Sequence, residues 1–169
     1  MHFICKYVSP LGGITLASDG EALTGLWFDG QKYFAAGLSC GYEERDLPVF
    51  TAARKWLDIY FSGKAPDFTP PLSFDGLTGF RRRICGLLLA IPFGHTVTYG
   101  ELAKRLEEET GVSTSARAVG GAVGHNRISL IVPCHRVTGA DGSLTGYAGG
   151  IERKRALLEL EYTVLPDKS

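Results

Sequence analysis

No apolar run in the chain approaches the roughly 18 consecutive residues that a membrane-spanning helix requires. The opening residues, MHFICK, also lack the charged-then-apolar order of a secretory signal. The chain has four cysteines but no C-x-x-C pair, so neither a disulfide framework nor a zinc site is indicated. From these absences we expect an intracellular protein with reduced thiols and no bound metal.

An excess of either charge is absent as well, since 18 Lys+Arg balance 18 Asp+Glu. The charges are unevenly placed: residues 1–79 carry 6 basic and 9 acidic side chains, whereas residues 80–169 carry 12 and 9. A positive second half suits a polyanionic partner, but a difference this small carries little weight alone. With 44% hydrophobic residues in 169, the chain can form a hydrophobic core without a disulfide or a metal ion. This composition also excludes a disordered chain, a collagen and a coiled coil.

The first half of the chain reads as a small sheet followed by one helix. Short β-type runs at 3–8, 14–18 and 23–28 are separated by turn sequences, which predicts an antiparallel sheet. A helical pattern then runs over 51–62 and is stopped by Gly63.

A segment rich in proline and glycine, residues 64–79, has no helical period and predicts a domain boundary near Gly79. We therefore expect an α+β fold. Residues 1–79 would form an N-terminal α/β domain with a linker, and residues 80–169 a mostly α-helical domain.

The second half reads as a series of helices. One is predicted over 80–90, and a second begins at the capping box of Thr98 and runs to about Leu106. After a polar break over 107–113, Thr114 or Ser115 caps a third helix, rich in small residues. This pattern favours a helix-turn-helix, with an ordinary helical hairpin as the alternative.

Two glycines, Gly120 and Gly121, interrupt the third of these helices. Each costs about 1 kcal/mol relative to alanine in a helix interior, so something must approach that surface closely. The approaching object is either another helix or a nucleic-acid backbone.

A short apolar run, residues 128–132, predicts a buried strand or extended segment that Pro133 ends. Cys134 and His135 follow directly, and a cysteine beside a histidine is a nucleophile candidate because the imidazole can take the thiol proton. From this pair alone, the more common outcome is a buried hydrophobic thiol beside a satisfied core histidine.

A larger set of motifs favours the nucleophile over the buried, unreactive thiol. Together they resemble the O6-alkylguanine-DNA alkyltransferases, also called methylated-DNA–protein-cysteine methyltransferases, specifically over residues 80–165 and more weakly over the first half. The matching segments are Ile131-Val132-Pro133-Cys134-His135-Arg136-Val137, Ile91-Pro92-Phe93-Gly94, Thr98-Tyr99-Gly100-Glu101-Leu102-Ala103, Ala116-Arg117-Ala118-Val119-Gly120-Gly121-Ala122, Gly146-Tyr147-Ala148-Gly149-Gly150 and Leu57-Asp58-Ile59-Tyr60-Phe61-Ser62-Gly63.

The resemblance implies DNA repair by transfer of an alkyl group from guanine O6, and in some cases thymine O4, to Cys134, which is consumed in one turnover without a cofactor. His135 would act as base through water, Glu161 would orient the imidazole, and Asn126 would hold the active-site turn. The implied partner is double-stranded DNA containing alkylated guanine, bound by a monomer in the cytoplasm, at the nucleoid in a prokaryote.

The resemblance also implies how the target base is reached. The base must leave the stack, with Arg117 filling the vacated space and Tyr99 crowding the phosphate beside it. The recognition helix would lie in the minor groove through Ser115, Ala116, Gly120 and Gly121.

In the alkyl pocket, the resemblance places Tyr147 on the guanine ring and Lys154, Ala148 and Val137 around it. The preference for methyl or larger groups would depend on residues 145–148 together with Val137 and Thr138. Some relatives hold zinc in the N-terminal domain, but His2, Cys5 and Cys40 lack ligand spacing, so we expect no metal.

Three other functions remain open from the sequence. An alkyltransferase-like protein would bind lesions without repairing them, but such proteins lack the cysteine. A cysteine hydrolase would use Cys134, His135 and Glu161 for repeated turnover, and a helix-turn-helix regulator would prefer a DNA sequence to a lesion.

Overall fold

A four-stranded sheet forms the first part of the molecule. The computed structural model describes residues 2–32, 34–35, 41–144 and 146–164, with only the backbone of 163 and 164. Strands β1 (His2–Ser9), β2 (Gly12–Ser18) and β3 (Leu23–Phe28) pair antiparallel, which confirms the predicted sheet. A short fourth strand, β4 (Tyr42–Glu44), adds to β1 in parallel, and its exposed polar residues carry no strand signal.

The first helix, α1 (Pro48–Phe61), covers this sheet and begins three residues earlier than predicted. Proline is well suited to the first helical position because its missing N–H has no partner there in any case. The helix buries one apolar face that includes Trp56, Leu57 and Tyr60, and Gly63 follows it at a φ of 94°.

Three further helices follow, α2 (Gly79–Leu89), α3 (Tyr99–Thr110) and α4 (Ala116–Gly124), and the last two correspond to the predicted helix-turn-helix. Their N-caps are Thr78, Thr98 and Ser115, each of which accepts a backbone N–H three residues on. Helix α3 is one turn longer than predicted, because residues 107–110 continue the helix and Gly111, at a φ of 73°, ends it.

The segment over 128–132 is buried as predicted, but its predicted conformation, a strand or extended segment, is wrong. The segment is a buried series of tight turns with one isolated bridge between Ile128 and Leu26, and Leu130 takes a φ of 70° that no regular strand allows. One turn of 3-10 helix, Cys134–Arg136, follows it, and the two-residue strand β6 (Val137–Thr138) pairs in parallel with β5 (Val97–Thr98). Helix α5 (Ile151–Val164) ends the described chain.

A continuous hydrophobic core joins the two halves of the chain, with Leu16 and Val132 in the same cluster. Strand β3 reaches the second half directly, because Leu26 N donates to Arg127 O (2.8 Å) and Ser129 N donates to Leu26 O (3.0 Å). The sheet therefore supports the turn that precedes Cys134. Across the part of the chain that the structure describes, no helix has the length and apolarity to cross a membrane.

Candidate active site

An open cavity of about 370 Å³ lies between α4 and the loop before α5. Small-molecule sites commonly have volumes of about 300–1,000 Å³, so this one has room for a single flat ring system. Its lining combines the cysteine with glycines of the recognition helix and residues of three other segments: Lys32, Tyr99, Gly120, Gly121, Val123, Gly124, His125, Cys134, Gly146, Tyr147 and Ala148.

Cys134 reaches this cavity with only 5% of its surface exposed. Burial raises the pKa of the Cys134 thiol, while the nearby Asn126 amide and Lys154 ammonium act in the opposite direction. The resting sulfur is therefore a neutral thiol, not an anion maintained by its neighbours. The proton has to leave as the sulfur reacts.

The side chain of Asn126 holds the turn that leads to Cys134. Its Nδ2 donates to the carbonyls of Val132 (2.8 Å) and Ile128 (3.2 Å), and its Oδ1 accepts from Ile128 N (3.1 Å). All three contacts are buried, so the amide takes the place that a strand partner would otherwise have.

His135 and Glu161 form a hydrogen-bonded pair behind the cysteine, and both side chains are fully buried. Nε2 of His135 lies 2.5 Å from Oε2 of Glu161, and a carboxylate only accepts, so Nε2 carries the hydrogen. Burial lowers the pKa of His135 against the opposing effect of Glu161, so the resting ring is neutral. Nδ1 then bears the lone pair, and it has no hydrogen-bond partner among the described residues.

The Glu161 carboxylate accepts hydrogen bonds from four residues. Oε1 accepts from Gly94 N and Arg136 Nε, each at 2.8 Å. Oε2 accepts from Tyr60 Oη (2.6 Å) and Arg136 Nη2 (3.2 Å), besides His135. Burial alone would raise the carboxyl pKa, but the hydrogen bond from His135 and the charge that this ring gains on protonation, together with the hydrogen bonds and charge of Arg136, lower the pKa of Glu161 to about 2. The acid is therefore a fixed anion throughout the neutral range.

The loop before α5 forms the opposite wall of the cavity. Tyr147 lines it with a buried hydroxyl that makes no hydrogen bond among the described residues. Ala148 lines it as well, and its carbonyl accepts from Lys32 N at 3.0 Å. A buried polar atom without a partner indicates a place where a ligand or water binds.

Two other expected pocket residues do not line the cavity. Val137 is fully buried in β6, where it pairs with Val97 in the core, so it packs behind the site and has no surface for a ligand. Lys154 is also fully buried, and its Nζ donates to Gly146 O (3.1 Å) and lies 5.9 Å from the Tyr99 ring centre. Thr145, in the same loop, lies outside the described residues.

The exposed face of α4 borders the cavity. Arg117 and Ala116 are exposed on its first turn, and the Ser115 hydroxyl accepts from Ala118 N (3.0 Å) while keeping its own hydrogen to donate. A Cβ at Gly120 would lie 3.7 Å from the Tyr99 ring, and one at Gly121 would meet no described atom within 4 Å. No helix among the described residues therefore covers Gly121, which favours an external molecule as the approaching object.

Sequence reasoning missed Tyr60 and Arg136 as members of the site, although both stand inside motifs that carried the resemblance. It also missed Lys32 and His125 in the cavity wall. His125 Nδ1 donates to Gly121 O at 2.7 Å, which holds the ring at the end of α4. The motif around Tyr60 indicates the family but not a place in the site, and nothing in the local pattern around Lys32 indicates a site. Both residues are far from Cys134 along the chain, and only the fold brings them near it.

No group of three or more His, Cys, Asp or Glu side chains suited to a metal ion occurs among the described residues. Cys5 and Cys85 are free and buried, and burial raises the pKa of both thiols, that of Cys85 to about 11. Cys40, the third cysteine outside the site, lies outside the described residues.

A buried thiol backed by a histidine–glutamate pair, beside a helix-turn-helix, defines a class of DNA-binding protein with a cysteine nucleophile. Two family models match the chain, and both describe 6-O-methylguanine DNA methyltransferase: its ribonuclease-like domain over residues 4–74 and its DNA binding domain over residues 79–163. The chain belongs to the methylated-DNA–protein-cysteine methyltransferase family, as its motifs indicated.

Relatives match over nearly the whole chain. The methylated-DNA–protein-cysteine methyltransferase of Mycobacterium tuberculosis is 47% identical over 158 residues, which cover 94% of this chain and 91% of that protein. The Haemophilus influenzae protein of the same name is 43% identical over 163 residues, covering 96% and 87%. The crystal structure of Mycobacterium tuberculosis OGT in complex with DNA has a TM-score of 0.82 and 43% identity, and covers 97% of this chain and 95% of that one.

Proposed function

We propose that this chain repairs DNA by moving an alkyl group from guanine O6 irreversibly to the sulfur of Cys134. The observation that supports this proposal most strongly is that Cys134 lines an open cavity. The next residue in the chain, His135, is hydrogen-bonded to Glu161. The family and its DNA complex support double-stranded DNA as the partner.

In the transfer step, Cys134 Sγ attacks the alkyl carbon, and a carbon–sulfur bond forms as the bond from that carbon to O6 breaks. The thiol proton passes to Nδ1 of His135, the ring nitrogen that carries the lone pair. No hydrogen bond links Sγ to Nδ1 within the described chain, so one water in the cavity carries the proton between them. Glu161 stabilises the resulting imidazolium.

The electron pair of the broken bond stays on the departing guanine, which takes up a proton and becomes ordinary guanine. The Tyr147 hydroxyl, buried at the cavity wall, donates to the ring while this negative charge develops. Because burial raises the pKa of Tyr147, its hydroxyl keeps the hydrogen that it donates. Ala148 borders the same space and sets its width, and Lys154 holds the loop from behind through Gly146.

The target base reaches Cys134 by leaving the duplex, since O6 is inaccessible inside the stack. Arg117, exposed on the first turn of α4, fills the vacated space, and Tyr99 crowds the phosphate beside the target. Gly120, Gly121 and Ala116 allow the DNA backbone close to the helix, and Ser115 donates to a phosphate.

We further propose that residues 1–79 and 80–169 form two domains and that the protein acts in the cytoplasm, where it meets DNA. The separate family matches, over residues 4–74 and 79–163, support the division. The core that both halves share means that neither domain is independent of the other.

The test of this function is intact-protein mass after exposure to a duplex oligonucleotide that contains one O6-methylguanine. The mass should rise by one methylene, the modification should map to Cys134, and the product should never exceed one per protein. Cys134→Ser is the matched control, because it should bind the duplex and acquire no methyl group.

Other outcomes would contradict the proposal in different ways. Tight binding to the lesion without an adduct would indicate a recognition module. More than one product per protein would indicate a cysteine hydrolase or another turnover enzyme. Preference for a DNA sequence over the lesion would indicate a regulator.

A further inference from the structure

A tyrosine from the first half of the chain reaches the catalytic pair of the second half. Tyr60, on α1, is fully buried, and its hydroxyl donates to Oε2 of Glu161 at 2.6 Å. The same hydroxyl lies 3.3 Å from Nε2 of His135. Tyr60 and His135 therefore direct their hydrogens to one carboxylate oxygen.

The aromatic ring of Tyr60 is held on several sides, so its hydroxyl has little freedom to turn away. Trp56 stacks on it with ring centres 5.3 Å apart and planes 7° apart. Phe93 and Phe61 meet it edge-on at 5.9 and 5.4 Å. An ordered aromatic environment of this kind fixes a hydrogen-bond donor before substrate arrives.

We propose that Tyr60 is a positioning residue for alkyl transfer: its hydroxyl holds Oε2 of Glu161 in place and shares the charge that this oxygen presents to His135. The proposal rests on the proposed function. It gives the N-terminal half of the chain a part in the chemistry, in addition to its part in the core.

The electrostatic effect of the hydroxyl has a definite sign. Burial and the neighbouring Glu161 raise the pKa of Tyr60 well above its ordinary value, so the group stays a donor. Loss of this donor leaves more of the carboxylate charge for His135 and stabilises the imidazolium.

The other charged and titratable groups around His135 remain unchanged when the Tyr60 hydroxyl is removed. They are Arg136 on the same turn and Lys154 on α5, and the Cys134 thiol precedes His135 directly in the chain. The direction of the effect on His135 is therefore set by Glu161.

The experiment compares Tyr60→Phe with wild type in single-turnover methyl transfer from the O6-methylguanine duplex, from about pH 5 to pH 8. The acid limb of the rate profile should move to higher pH in the variant. The transfer rate should fall roughly three- to tenfold near the acid end and approach the wild-type rate at the alkaline end. The final yield of one methyl group per chain should stay the same.

Tyr7→Phe is the matched control. Tyr7 also donates to a carboxylate at 2.6 Å, that of Asp58 on α1, but it lies away from the cavity. Its removal should leave the pH profile of methyl transfer unchanged. The thermal midpoints of both variants should be measured alongside the rates.

A titration of the His135 ring by NMR tests the proposal without any reaction. The ring should titrate at higher pH in Tyr60→Phe than in wild type. With 3-fluorotyrosine in place of Tyr60, which keeps the hydroxyl and makes it a stronger donor, the titration should move to lower pH. This second substitution keeps the test available if Tyr60→Phe does not fold.

Unmoved His135 titrations in both substitutions, or a transfer rate that falls by the same factor at every pH, would overturn the role of Tyr60. A wild-type protein that never acquires a methyl group would instead overturn the proposed function. The NMR titration separates these two failures, because it does not depend on alkyl transfer.

Discussion

The side-chain nitrogen of Asn126 donates to the carbonyl of Val132 at 2.8 Å and so spans the whole turn that delivers Cys134 to the cavity. The turn has almost no regular secondary structure, and Leu130 within it takes a left-handed backbone conformation. One side chain therefore does for this segment what a ladder of backbone hydrogen bonds does for a strand.

Replacement of Asn126 by alanine should lower both stability and transfer rate. The variant leaves the buried Val132 carbonyl and the Ile128 N–H without their side-chain partner, which costs about 2–4 kcal/mol of unfolding free energy. Urea denaturation measures the loss. Ser115→Ala, which removes one exposed cap contact, should cost only about 1 kcal/mol. Equal losses in the two variants would mean that Asn126 does not hold the turn.

Replacement of Gly121 by alanine should separate folding from DNA contact. The new Cβ meets no described atom within 4 Å, and alanine is the better helix former, so unfolding free energy should rise by up to about 1 kcal/mol. Affinity for the lesion duplex should fall, because the methyl group would occupy the surface where we propose that the DNA backbone approaches. Thermal unfolding and a fluorescence binding titration measure the two effects. Unchanged duplex affinity would place the DNA elsewhere.

Replacement of Arg117 by alanine should weaken repair in duplex DNA far more than reaction with free O6-benzylguanine. The side chain is exposed on α4 and does not line the cavity, so we expect it to act in extrusion of the base and not in the transfer to sulfur. Second-order rate constants for the two substrates give the comparison. Equal losses on both substrates would assign Arg117 to the chemistry instead.

Local patterns predicted most of the regular structure. Short β-type runs separated by turn sequences located β1 to β3, and cap residues located the starts of α3 and α4 to within a residue. The predicted conformation of residues 128–132 was wrong for a physical reason: β-branched residues indicate burial as readily as they indicate a strand. The decisive contacts there come from a single asparagine side chain.

The site was predicted in part. Cys134, His135 and Glu161 were named from the motifs, and the structure brings all three together. Tyr60 was not named, because its 101-residue separation from Glu161 is closed only by packing of α1 on the second half of the chain. The resemblance placed Val137 in the pocket, whereas its side chain is fully buried in β6. A residue's place in a motif does not determine which way its side chain points.

Stability in acid should depend on Glu161 more than on any exposed carboxylate. Its pKa in the folded chain is lowered to about 2, below the value near 4.5 expected when unfolded, so the stabilisation is present above about pH 4.5 and lost as pH falls toward 2. The full effect is about 3 kcal/mol, and about 2 kcal/mol of it is lost by pH 3.

The measurement is urea denaturation of wild type and Glu161→Gln at pH 6 and pH 3. The variant should be less stable at pH 6 and should lose less stability on acidification than wild type, because glutamine cannot titrate. Asp141→Asn is the control: the pKa of Asp141 is also lowered, by its contact with Ser143, but the group is fully exposed and its effect is screened by solvent. If Glu161→Gln lost as much stability between the two pH values as wild type, the carboxylate would not be the buried anion that its hydrogen bonds require.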